Sequence, residues 1–153
     1  GAVLLDDSYN ASPETVIHLI GTLNARPEGD KVLVLGPLAE LEEGLRDSAR
    51  AIAAHLRPPL ARCLVYDPRG ALLAEQLRAG AQGTEVRHVA SQPELLAALR
   101  ELDAPGRIIG IKGARSAHME RFVLALQGVP VSCQRHPCFL LKYCTDCALL
   151  SGT

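Results

Sequence analysis

The sequence predicts an α/β fold: a Rossmann-like, doubly wound, mostly parallel sheet of about six strands with flanking helices. Three observations carry this prediction. Short apolar runs alternate with longer stretches of helical periodicity five times in succession, the pattern of consecutive β-α units. The strand-like runs are continuously apolar, Val32-Leu33-Val34-Leu35 most clearly, as in parallel strands covered on both faces. The polar clusters fall where those runs end, which is where open α/β sheets bind ligands.

The elements follow in order. Strands are predicted at 2–6, 31–36, 63–66, 85–89 and 107–111, with 129–132 as a sixth. Ser12-Pro13 reads as an N-cap with proline at the first helical position, followed by an apolar stripe through Val16, Ile20 and Leu23. A second helix carries Leu41, Leu45, Ala49, Ile52 and Leu56 and stops before Pro58-Pro59. Asp67-Pro68 opens a third, which Gly80 stops. Ser91-Gln92-Pro93-Glu94 is a capping box for the fourth, with Leu95, Leu99 and Leu102 on its apolar face. The last helix is predicted from about Ser116 to Leu126.

Composition excludes several classes. The 153 residues carry 16 basic and 17 acidic side chains, a net charge of −1, so no nucleic-acid surface is expected. Aromatic residues make up 3% and Trp is absent, which argues against base-stacking platforms. No apolar run approaches the roughly 20 residues of a membrane span, and the first residues lack the order of a signal peptide. The chain opens directly on a strand-like run, as an excised domain or a trimmed chain would.

Two polar clusters invite a chemical reading. At the first strand end stand Asp6-Asp7-Ser8-Tyr9-Asn10. Carboxylates there suit ribose hydroxyls or a hydrated magnesium ion, and Asn10 suits a phosphate; equally, Asp7, Ser8 and Asn10 suit the capping of a turn. At the fifth strand end stand Lys112-Gly113-Ala114-Arg115-Ser116. Two cations beside a glycine turn at a helix start form an anion site, or else a solvated basic loop.

Asp6–Pro13 resembles the DDSYNANP signature of the C-terminal domain of MurF-type Mur ligases, with Ser12 where Asn is common. Residues 111–116 resemble that family's KGSRS motif, with Ala114 in place of Ser, and run on into Met119-Glu120-Arg121. Residues 34–41 resemble its VLGDMAELG segment, with Pro37 where Asp is usual and Glu42 where Gly is usual; Gly36 and Glu40 remain ligand-facing candidates. The resemblance covers about residues 2–127. It implies one domain of a cytoplasmic ATP- and magnesium-dependent amide ligase of cell-wall synthesis, adding D-Ala-D-Ala to UDP-MurNAc-tripeptide. Asp7, Ser8, Tyr9 and Asn10 would face the nucleotide; Lys112, Gly113, Arg115 and Ser116 would face the incoming dipeptide or the reacting anion. The N-terminal and central domains of the same enzyme would be its partners, because no Gly-x-x-x-x-Gly-Lys-[Ser/Thr] occurs in this chain. Alternatives are a domain of a sibling Mur ligase or of a folylpolyglutamate synthase, or a non-catalytic α/β binding module.

A boundary is expected near residue 128, dividing the ligase-like domain 1–128 from a Cys-rich tail, 129–153. Cys133, Cys138, Cys144 and Cys147 lie in that tail. Cys144-Thr145-Asp146-Cys147 has the spacing of a zinc knuckle. Structural zinc, a disulfide or plain reduced thiols all fit, with His136 able to stand in for one cysteine. Cys63 reads as a core residue, and His118 is the one histidine beside a candidate site.

Overall fold

The computed structural model describes residues 1–39 and 44–152. Five parallel strands form one sheet: β1 (Val3–Asp7), β2 (Asp30–Leu35), β3 (Leu60–Tyr66), β4 (Glu85–Val89) and β5 (Arg107–Lys112), in the order β1-β5-β2-β3-β4. The helices are α1 (Pro13–Asn24), α2 (Leu45–Ala53), α3 (Leu72–Gly80), α4 (Gln92–Leu102) and α5 (Glu120–Leu126).

The alternating strand geometry explains the apolar runs. In β2, Leu33 and Leu35 join Val16, Ile20, Ile52 and Leu77 on the face covered by α1, α2 and α3. Val32 and Val34 join Leu95, Leu99, Phe122 and Val123 on the face covered by α4 and α5. Residues 32–35 of β2 are therefore all buried, whichever way each points. The chain winds outward from β2 to β4 with helices on one face, then returns through α4 on the other to place β5 between β1 and β2. β1 and β2 lead into α1 and α2 on one face, while β5 between them leads into α5 on the other, so the topological switch falls at these strand ends.

Several expectations need correction. The sheet has five strands among the described residues, and residues 129–132 add none. Ser132 N and Cys133 N instead donate to Leu150 O, at 2.8 and 3.1 Å, so the tail hydrogen-bonds to itself. Asp67-Pro68 does not open α3: the Asp67 carboxylate accepts from Arg69 N at 2.9 Å and closes a turn, and the helix begins at Leu72. Ser91 caps α4 by accepting from Glu94 N, but Glu94 returns its carboxylate to Ala90 N, one residue earlier than a capping box requires. The reciprocal box forms instead at α1, between Ser12 and Thr15. α5 begins at Glu120, not Ser116. Residues Arg115–Ala117 make a single 3-10 turn, and His118, with φ of 48°, breaks the path into the helix.

The tail is docked on the domain. Arg121, on α5, is 2% exposed and donates to Cys133 O and Arg135 O, each at 3.1 Å, while also reaching His118 O and Gln92 Oε1. The Gln92 amide also donates to Cys133 O, and Cys138 N donates to Ser116 O. The His136 ring packs edge-on against Tyr66.

Candidate functional site

Parallel register aligns the three strand ends. Asp7 pairs with Lys112, and Lys112 with Leu35, so the turns after β1, β5 and β2 stand side by side.

Lys112 is 2% exposed, and its Nζ lies 2.6 Å from Asp7 Oδ2. The Asp7 side chain keeps 47% of its surface exposed. The pair is therefore anchored in the fold on its cationic side and open to solvent on its anionic side. Lys112 is not part of a solvated loop: it is a fixed charge at the end of β5, paired across neighbouring strands. Ser8 turns inward, its hydroxyl bonded to the Asp6 carboxylate. Asn10 Oδ1 accepts from Ala11 N at 2.9 Å, a turn-capping contact, and its Nδ2 makes no hydrogen bond among the described residues. Tyr9 is exposed.

The glycines serve packing. A Cβ on Gly36 would meet Met119 Sδ at 2.7 Å, and one on Gly113 would meet Met119 Cγ at 2.5 Å, with the two glycine backbones in contact. Met119 thus occupies the space that Gly36 opens. Gly36 N donates to Lys112 O and Ala114 N donates to Pro37 O, both at 2.7 Å, lacing the β2 and β5 turns together. Glu40 and Glu42 lie outside the described residues.

Arg115 is the most elaborately held cation. Its guanidinium carbon lies 4.9 Å from the Tyr143 ring centre and 5.7 Å from that of Tyr9, both within cation–π range. Nη2 donates to Lys142 O at 2.7 Å, and Nη1 lies 3.2 Å from Glu120 Oε1. The tail therefore supplies half the mount of a residue in the β5 turn. Ser116 is partly exposed, and its carbonyl is taken by Cys138 N.

Behind Arg115 sits a group that the sequence reading largely missed. His118 Nδ1 lies 2.8 Å from Glu120 Oε1 and 3.6 Å from Cys144 Sγ, and Cys144 N donates to the same carboxylate oxygen. Burial opposes ionisation of Glu120, but the His118 ring and two backbone amides outweigh it and hold the carboxyl below its ordinary range. Burial, with Glu120 nearby, pushes the Cys144 thiol up to about 12. Among the described residues, His118 Nε2 is buried without a hydrogen-bond partner. Among the described residues, His118, Glu120 and Cys144 form the only group of three donors lying within 4.8 Å of one another. The charged pair Glu120-Arg121 immediately before Phe122-Val123 was the sequence signal for this cluster, since helix positions facing a core are otherwise apolar.

The geometry gives a half-exposed carboxylate, a buried ammonium and a clamped guanidinium at the adjoining ends of β1 and β5. Such a set positions anionic and hydroxyl-bearing groups. The family description "Mur ligase, glutamate ligase domain" matches residues 1–115. UDP-N-acetylmuramoyl-tripeptide–D-alanyl-D-alanine ligase of Bacillus subtilis is 30% identical over 134 residues, 86% of this chain and 29% of that protein. The Escherichia coli enzyme of the same name is 35% identical over 128 residues, 82% of this chain and 27% of its own length. The crystal structure of MurF from Acinetobacter baumannii superposes with a TM-score of 0.65 at 26% identity, covering 82% of this chain and 27% of that one. The chain thus spans less than a third of the length of each of these three relatives.

Proposed function

The chain belongs to the Mur ligase family, and from that premise we propose that it works as the C-terminal domain of an ATP-dependent ligase that joins D-Ala-D-Ala to UDP-MurNAc-tripeptide. The observation that carries the reading is the Asp7–Lys112 pair, 2.6 Å across the ends of β1 and β5. It fixes two opposite charges where the fold binds ligands, in the two segments with family-like motifs.

ATP and its magnesium ion would be held mainly by the central domain of the complete enzyme. The residues here fit a supporting role. Asp7 has a half-exposed carboxylate able to accept from hydroxyls or from metal-bound water, and Asn10 keeps an unused amide donor among the described residues. Bound ATP supplies the phosphoryl group that activates the peptide carboxylate. Arg115, with Ser116 beside it, would orient the incoming dipeptide carboxylate or the reacting anion. Closure of this domain would exclude water, which otherwise hydrolyses an acyl phosphate. No helix of the described residues is long and apolar enough to cross a membrane, which fits a cytoplasmic enzyme.

The test is substrate-dependent ATP turnover by the complete protein. UDP-MurNAc-tripeptide and D-Ala-D-Ala together should stimulate phosphate release with formation of the pentapeptide product. Stimulation by a single amino acid in place of the dipeptide would assign the domain to a sibling ligase. Stimulation by neither would favour a binding module.

A further inference from the structure

Cys133, Cys138, Cys144 and Cys147 do not gather into a four-thiolate metal site: among the described residues the only three donors within 4.8 Å of one another are His118, Glu120 and Cys144. A cation already sits against that group. Arg115 Nη1 lies 2.9 Å from His118 Nδ1 and 3.2 Å from Glu120 Oε1. The cluster is an arginine mount, and the tail completes it.

Tyr143 is the part of the tail that reaches the guanidinium. Both of its neighbours are pinned. Lys142 O accepts from Arg115 Nη2 at 2.7 Å, and Cys144 N donates to Glu120 Oε1 at 3.3 Å. Asp146 N donates to Tyr143 O at 3.1 Å, closing the turn that follows. The backbone is therefore tied down on either side of the ring. The Tyr143 ring centre lies 4.9 Å from Arg115 Cζ, the Tyr9 ring centre 5.7 Å from it, and the two ring centres 6.2 Å from each other. These distances describe a cradle: both rings meet the cation and are also paired with each other. Tyr9 follows β1 and Arg115 follows β5. One contact group thus ties the two turns of the candidate site to a residue well beyond 115, where the family match ends.

Anchoring leaves part of the guanidinium unused. Nη1 faces His118 and Glu120, and Nη2 serves Lys142 O. Nε makes no hydrogen bond among the described residues, and the side chain keeps 25% of its surface exposed. A carboxylate binds such donors in the guanidinium plane. A free arginine would lose rotamer entropy on binding one, and a cradle that fixes the plane beforehand removes that cost. We propose that Tyr143 is a positioning residue for substrate: with Tyr9 it holds the Arg115 guanidinium in one plane, leaving Nε–H for the carboxylate of the incoming dipeptide. This rests on the reading of Arg115 as the dipeptide's anchor. Tyr143 itself acts through Arg115 and needs no contact with substrate.

The experiment is steady-state kinetics of the complete protein with D-Ala-D-Ala as the varied substrate. Tyr143→Leu keeps apolar bulk but removes the π face. It should raise KM for the dipeptide about 3- to 10-fold, with KM for ATP within about 2-fold of the parent. The change in kcat should be smaller than that in KM, because the lost preorganisation is a cost of binding. Tyr143→Phe keeps the π face and should retain the parent KM. Tyr143 is half exposed, so both variants should melt with the parent. In an Arg115→Ala background, Tyr143→Leu should cause no further loss of kcat/KM for the dipeptide. A parent-like KM in Tyr143→Leu would overturn the proposal. So would a Tyr143→Phe protein as impaired as Tyr143→Leu, or an undiminished loss in the Arg115→Ala background, which would place the ring's action elsewhere. Failure of the underlying reading looks different: Arg115→Ala would itself keep the parent kcat/KM, and the inference would fall with it. If Tyr143→Leu melts early, Tyr9→Leu removes the other wall of the cradle; its effect on the dipeptide KM should likewise vanish without Arg115, and an undiminished effect contradicts the cradle.

Discussion

Removing Asp7 should destabilise the domain more than removing its partner, Lys112. The two charges lie 2.6 Å apart, an attraction of roughly 6 kcal/mol at an effective dielectric of about 20. Most of it offsets the cost of burying the ammonium, which is 2% exposed. Asp7→Ala would strand that ammonium. Breaking a buried pair costs about 3–5 kcal/mol. Because Asp7 is 47% exposed, water can reach the vacated position, and about 2–3 kcal/mol is the better expectation. For a chain of this size that is a fall in Tm of roughly 4–12 °C. Lys112→Met keeps the packing and leaves a carboxylate that solvent can hydrate, so it should cost about 1 kcal/mol or less. Thermal melts of both variants at pH 7 supply the comparison. Equal losses, or a larger loss for Lys112→Met, would refute the asymmetry of burial on which the pair's role rests.

Arg121→Met should cost about 2–4 kcal/mol, because three carbonyls and the Gln92 amide lose their donor; limited proteolysis should then cut first within residues 129–152, and cutting first elsewhere would contradict the docking role. Cys63 is fully buried and its thiol is pushed up to about 12, so it should resist alkylation at pH 8 until the protein unfolds; labelling of the native protein at Cys63 would count against that burial. The backbone amide of Ala90, followed by Arg87, holds the Glu94 carboxyl below its ordinary value of 4.5. With a folded value below the unfolded one, its contribution is complete above that pH and is lost as pH falls below it. Glu94→Gln should therefore flatten the acid limb of stability by a few tenths of a kcal/mol, since the group is exposed; an unchanged limb would show the contact to be idle.

The parallel sheet was legible because residues 32–35 of β2 and 108–111 of β5 run without a polar side chain, which double-sided burial explains. The caps at Ser12 and Ser91 were legible from local chemistry alone. The third helix start was misread because Asp-Pro serves a turn as readily as a cap, and Arg69 decided between them through a contact with Asp67. The strand ends were recognised as a site, but not the pairing inside it. Asp7 and Lys112 are 105 residues apart, and only the insertion of β5 beside β1 joins them. The docking of the tail was invisible for the same reason. Arg121 and Tyr143 look like an ordinary helix cation and an ordinary aromatic until the fold stacks one against the tail carbonyls and the other on Arg115.

The central claim is that the turns after β1 and β5 form the working face of a ligase domain. Arg115 tests it most directly, because it is held by tail and turn while part of its side chain stays open to solvent. In the complete protein, single-turnover formation of the D-Ala-D-Ala adduct should fall about 10²-fold or more in Arg115→Ala, the loss of a charge-assisted contact and its positioning. Melting temperature should change little by comparison. An Arg115→Ala protein that forms the adduct at the parent rate would contradict the account, leaving the β5 turn as a structural corner of the fold.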